Sequence, residues 1–102
     1  MTVLKVCYKH GVRFDERYYL ATHIPLVGGI MGPFGVKKTE VVKIAGAADG
    51  STPPYQLVFT AYFDSADALQ KAMTNPRMPE VIGDIAKFYD GMPDMMIGEV
   101  LG

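Results

Sequence analysis

The stretch "YQLVFTAYF", residues 55–63, constrains this chain more than any other. Its β-branched and aromatic content reads as a strand, in which Tyr55, Leu57, Phe59, Ala61 and Phe63 alternate with Gln56, Val58, Thr60 and Tyr62. Both rows carry apolar bulk, so the strand is expected inside a sheet, with cover on both faces. The chain has 102 residues, 49% of them hydrophobic, which suits one domain spanning residues 1–102 with a real core and is too short for two.

The other elements fall around that strand. "TVLKVCYK" puts Leu4, Val6 and Tyr8 on one face and Val3, Lys5 and Cys7 on the other, so it predicts the first strand. Asp15 is placed to cap a helix. In it Leu20, Ile24, Val27 and Met31 make one apolar stripe, beside a second of Tyr19, His23, Leu26 and Ile30. "GPFG" at 32–35 stops that helix, and "VKKTEVVKIA" at 36–45 reads as a second, more polar strand suited to a sheet edge. A loop at 46–54 leads into the apolar strand. Ser65 can cap a helix ending before Asn75-Pro76, helical spacing resumes in "RMPEVIGDIAKFY", and "DMMIGEV" at 94–100 reads as the last strand.

The order β-α-β-β-α-β is the split βαβ arrangement of a ferredoxin-like α+β sandwich. Helices cover only one face of such a sheet. A doubly apolar inner strand needs the other face covered too, and a second copy of the same sheet would do it, so a homodimer closed sheet to sheet into a dimeric α+β barrel is expected.

Several function classes drop out on inventory. Ten basic and eleven acidic residues leave a net charge of −1, with no Lys/Arg cluster interleaved with aromatics, so no nucleic-acid partner is expected. No apolar run nears the roughly 20 residues of a membrane span, and the N-terminal segment lacks the long apolar core of a secretory signal, so the expectation is no membrane and a cytoplasmic location. The lone Cys7 has no disulfide partner and reads as a buried, reduced thiol. Two histidines far apart and one cysteine supply no recognisable metal set. There is also no phosphate-binding Gly-rich loop and no nucleophile elbow.

"FDERYYLATHIPL" at 14–26 resembles the F-D-x-x-Y-Y-x-x-x-H-x-P-L pattern of the EthD-like family, named for a protein linked to bacterial ethyl tert-butyl ether degradation. "GSTPPYQLVFTAYFDSADAL" and "GDIAKFYDGMP" are similar to its PPY loop, third strand and D-I-x-x-[FY]-x-D segment. The resemblance implies a dimeric α+β barrel with a pocket between sheet and helices and no obvious cofactor. Its relatives include auxiliary proteins of ether degradation, fungal polyketide dehydratases and lactone isomerases. A shared fold does not by itself carry a shared reaction.

His23 is the candidate catalytic residue, because imidazole is the side chain best matched to moving a proton near neutral pH. The alternative is a core histidine packed on Tyr19 and satisfied by the backbone. Pro25 cannot donate to the Ala21 carbonyl and disfavours helical geometry at Ile24, so a kink just after His23 is expected, turning the ring toward a cavity. The candidate binding residues for a small apolar ligand are Tyr19, Phe59, Tyr62 and Met96. Periodicity leaves open which row of the third strand lines the pocket. Asp84 and Asp90 read as capping and turn residues, and His10 as solvated.

The expected function is cofactor-independent acid/base chemistry, of dehydratase, isomerase or cyclase type, on a small apolar carbonyl, lactone or aromatic compound. The alternative is a non-catalytic small-ligand or auxiliary protein for a degradative oxygenase. A cofactor-free monooxygenase on the same fold is a third reading.

Overall fold

The computed structural model describes residues 1–102. Four antiparallel strands form one sheet in the order β2-β3-β1-β4: β1 Thr2–Lys9, β2 Val36–Lys43, β3 Tyr55–Phe63 and β4 Asp94–Glu99. The polar strand β2 lies at an edge and the doubly apolar β3 inside, as their compositions predict. Helices α1 (Glu16–Tyr18), α2 (Ile24–Met31), α3 (Ala66–Met73) and α4 (Met78–Asp84) form the second layer. The arrangement is the ferredoxin-like α+β sandwich. Its least extent, 19 Å, matches one sheet carrying one layer of helices.

Local chemistry places the helices. The Asp15 carboxylate accepts from the Tyr18 amide at 3.1 Å, and the Ser65 hydroxyl accepts from the Ala68 amide at 3.2 Å, so each starts its helix as a side-chain cap. Gly35, at φ 90°, reverses the chain into β2 in a left-handed conformation that a side chain would resist.

The core lies between the layers. Leu4, Val6 and Tyr8 of β1 and Leu57, Phe59, Ala61 and Phe63 of β3 meet Val27, Ile30 and Met31 of α2, Leu69 and Ala72 of α3, and Val81 of α4. At one end it becomes an aromatic cluster: Tyr8, Phe14, Tyr19, Phe88 and Tyr89 pack with ring centroids 5.0–6.2 Å apart, mostly edge to face. The Asp15 amide donates to the Phe88 carbonyl at 2.8 Å, and the Tyr89 hydroxyl accepts from the Lys9 amide at 3.0 Å. The start of the first helical segment is thereby tied to residues 85–90, far along the chain.

The opposite face of the sheet has no helix. Val3, Lys5 and Cys7 align there with Tyr62, Thr60 and Val58 of β3. Cys7 is a free, buried thiol, as expected.

One detail of the β3 alternation differs from the sequence expectation. A bulge between Tyr8 and Lys9 shifts the pairing so that Lys9 meets Tyr55. Tyr55 therefore leaves the helix-facing row, and its hydroxyl donates to Asp94 at 2.8 Å, next to Cys7.

Candidate functional site

The helical segment after Asp15 is not one α-helix. Between α1 and α2, Tyr19–His23 form a π-turn, in which the Ile24 amide reaches back five residues to the Tyr19 carbonyl. Pro25 then occupies the first turn of α2, where its missing N–H is tolerated. The expected departure from helical geometry at Ile24 does not occur: Ile24 keeps helical angles (φ −61°, ψ −45°), and the ladder widens rather than breaks. Such widened turns occur mostly as single insertions, often at functional sites. Tyr18, Tyr19 and His23 are carried on or beside this one.

His23 is 3% exposed and lies with its ring plane near parallel to Tyr19 (centroids 5.6 Å) and 4.5 Å from the centroid of Phe88. Its Nδ1 is 3.0 Å from Oδ2 of Asp84, at the end of α4. The other carboxylate oxygen, Oδ1, accepts from the Tyr18 hydroxyl at 2.7 Å. Burial pushes the His23 pKa down, against the opposing pull of Asp84, so the ring is neutral at pH 7. Burial works to raise the Asp84 pKa, but the hydrogen bonds from His23 and Tyr18 outweigh it and hold the carboxyl below its ordinary value.

An ionised Asp84 can only accept, so the His23 proton sits on Nδ1 and the lone pair on Nε2. Nε2 makes no hydrogen bond to the protein, and no side-chain nitrogen or oxygen is both sealed and without a partner. Nε2 therefore meets the cavity that His23 lines.

That cavity lies between the sheet and the helices, with a volume of about 30 Å³. Leu4, Val6, Tyr8 and Phe59 form its floor, Met95 of β4 one side, and Ile24, Val27 and Met31 of α2 part of its roof. Fourteen of its fifteen lining residues are hydrophobic, and His23 is the exception. Burial raises the pKa of both Tyr8 and Tyr19, so their phenols stay neutral. No three His, Cys, Asp or Glu side chains converge as a metal-binding group.

Residues 12–92 match the EthD domain. The chain belongs to the EthD family. An EthD-like protein from Ralstonia eutropha JMP134 superposes with a TM-score of 0.85 at 33% identity, over 99% of this chain and 92% of that one. An ethyl tert-butyl ether degradation (EthD) family protein from Bacillus halodurans C-125 gives 0.80 at 28% identity, over 99% of both chains. A cofactor-independent oxygenase from Streptomyces nogalater shares the fold, with a TM-score of 0.69 at 11% identity over 99% of this chain and 92% of that one. No curated protein sequence matches.

In this EthD chain the structure brings His23, Tyr19 and Phe59 to one cavity and leaves Tyr62 and Met96 outside it. Strand alternation is the reason. Tyr62 pairs with Val3 and Met96 with Lys5, both on the face without helices, while Met95, one residue earlier than Met96, points into the cavity. Tyr62 instead lies under the Lys38 ammonium (5.0 Å) and donates to Glu40 at 3.3 Å.

Asp84, read from sequence as a capping residue, is instead the acceptor that orients His23. Tyr18, beside the candidate Tyr19, holds that acceptor. Asp84 is 61 residues from His23, and no local spacing connects them. The only signal within reach was that both lie in segments resembling family motifs.

Proposed function

We propose that this EthD protein binds a small, mostly apolar carbonyl, lactone or aromatic compound against His23 and moves a proton on it by acid/base catalysis without a cofactor. One observation carries the reading: a buried, neutral histidine has Nδ1 held by a carboxylate and Nε2 facing an apolar cavity. In that geometry Nε2 takes a proton from a carbon next to the substrate carbonyl, the C–H electron pair moves into the enolate, and the new imidazolium is stabilised by Asp84. Returning the proton to another carbon completes an isomerisation. Delivering it to a departing hydroxyl completes a dehydration. Tyr18 acts on Asp84 rather than on substrate, so it is a positioning residue.

A non-catalytic small-ligand protein serving a degradative oxygenase is the second reading. It is favoured by how apolar the cavity lining is, with no second charged group to stabilise an enolate. Oxygenation is what the Streptomyces nogalater protein is named for, and at 11% identity that likeness reaches the fold alone. Either reading is compatible with a homodimer closing the helix-free sheet face.

The test is incubation in D2O with a panel of small ketones, lactones and phenols, following carbon-bound deuterium by mass spectrometry. Exchange in at least one compound, lost in His23→Asn and falling off only at a pH below the ordinary imidazole value of about 6.5, because burial lowers the His23 pKa, is the expected outcome. Binding that depends on His23 without any exchange would leave the ligand-carrier reading standing in its place.

A further inference from the structure

The cavity against His23, about 30 Å³, is roughly ten- to thirtyfold smaller than the roughly 300–1,000 Å³ of pockets that hold organic ligands. A shallow surface depression of about 450 Å³ lies outside it, and the two share three side chains: Met73, Met78 and Ile82. These three separate a buried space from an open one of ligand size. Met73 ends α3, Met78 begins α4, and Ile82 follows one turn later.

The backbone between the two helices is pinned. The buried Asn75 side chain donates to the Ala72 carbonyl at 2.6 Å and accepts from the Arg77 amide at 2.8 Å. Any opening is therefore left to side chains, and methionine, unbranched with three rotatable bonds, repacks at little cost.

We infer that Met73, Met78 and Ile82 form a gate through which the cavity opens to the α3–α4 depression, and that the ligand it admits carries one hydrogen-bonding group for His23 and a flexible hydrocarbon tail that passes between the methionines. This rests on His23 being the polar end of a ligand site, as proposed above, and adds the entry route and the shape of the ligand. Apart from the Tyr8 and Tyr19 hydroxyls, the His23 imidazole is the one hydrogen-bonding side-chain group in the lining, so a ligand rich in polar groups would leave some of them unpaired in the cavity. The tail lies where the methionines part, so longer tails gain contact up to the length that reaches solvent.

The probe is a series of 4-alkylphenols from phenol to 4-pentylphenol, titrated into the wild-type protein carrying 13C-methyl methionine. Affinity is expected to rise about fourfold per methylene. The Met73 and Met78 methyl resonances should shift, while those of the exposed Met1 and Met92 stay put. Met78→Ala should speed association about tenfold, and Ile82→Trp should slow it by a similar factor.

Affinity that does not grow with the tail, unmoved Met73 and Met78 signals, or no phenol binding to the wild type would each overturn the gate. The wild-type spectra decide this even if a variant fails to fold. His23→Asn separates the two proposals. Tail-dependent binding that is indifferent to His23 breaks the function reading and keeps the gate, whereas His23-dependent binding that leaves Met73 and Met78 still breaks the gate alone.

Discussion

The two faces of the sheet are built by the same strands and hold different chemistry. On the helix side Leu4, Val6, Tyr8, Leu57, Phe59, Ala61 and Phe63 are buried in a continuous core that ends in the His23–Asp84 pair. On the other side Val3, Cys7 and Thr60 are buried, while Lys5 stands exposed among them with its ammonium donating to Thr60 at 3.0 Å, and Met96 is 47% exposed. The first face is finished within one chain. The second is an apolar surface with a charge at its centre and no helix over it. The difference teaches that the alternation of side chains along β1 and β3 gives one short chain two faces of different chemistry, one closed by helices and one without them.

The sharpest way to break that comparison is to truncate one aromatic ring on each face. Phe88 is fully buried and packs on Tyr8, Phe14, Tyr19 and His23, so Phe88→Ala should cost about 3–5 kcal/mol in urea denaturation. Tyr62→Ala on the helix-free face should cost about 1 kcal/mol or less when measured at concentrations where the chain is alone. Equal losses would mean that the two faces are not different in kind.

Association tests the second face directly. A homodimer joined there should bury on the order of 1,200–2,000 Å² in total, and Val58→Asp would place an unpaired carboxylate within it. Sedimentation at micromolar concentration should give a dimer for the natural chain and an 11.2 kDa species for the variant, with the far-ultraviolet spectrum unchanged. A monomeric natural chain would sink the sheet-to-sheet assembly.

The first face should carry a pH signature. The unfolded chain's His23 takes up a proton near 6.5, whereas burial holds the folded His23 pKa lower. Below about pH 6.5 the unfolded state therefore binds more protons and stability falls until the folded ring protonates as well. Asp84, also held low, adds a further loss below its ordinary 3.8. Both contributions are fully present at neutral pH and lost in acid. His23→Asn should remove the loss that begins near 6.5. Asp84→Asn should cost about 1–3 kcal/mol at pH 7, because it exchanges an ionised acceptor for a weaker one beside the buried His23 and the half-buried Tyr18. A stability profile flat from pH 8 to 5 would contradict the burial of a neutral His23.

Much of this division was legible in the sequence, because strands and caps are local. Period-two alternation marked β1 and β3, polarity put β2 at an edge, and Asp15 and Ser65 announced their helices. Periodicity alone left open which β3 row faces the core, and the structure puts Phe59 there and Tyr62 on the helix-free face. What was not legible depends on residues distant in the chain or on a single inserted position. The Asp84 partnership spans 61 residues, the Tyr8/Lys9 bulge moves Tyr55 to the other face, and one step along β4 decides between Met95 and Met96.

The π-turn is the smallest of these features, and its prediction separates what holds the fold from what aims the site. Pro25 has no N–H to give the Ala21 carbonyl, and a turn closed instead by the Ile24 amide on Tyr19 leaves the chain free of that demand. Pro25→Ala restores a donor, which makes an ordinary α-turn available to residues 19–25. Core contacts of Val27, Ile30 and Met31 fix the register of α2, so the stability change should stay under about 1 kcal/mol in either direction. Relaxing the widened turn rotates His23 relative to Asp84, and there the substitution should be felt. In the natural chain the 15N shifts of the imidazole should report a proton on Nδ1 and a free Nε2. In Pro25→Ala they should move toward a mixture of tautomers as the 3.0 Å bond to Asp84 is lost. Unchanged imidazole shifts in a stable variant would show that Asp84 and the aromatic cluster aim the ring without help from the proline.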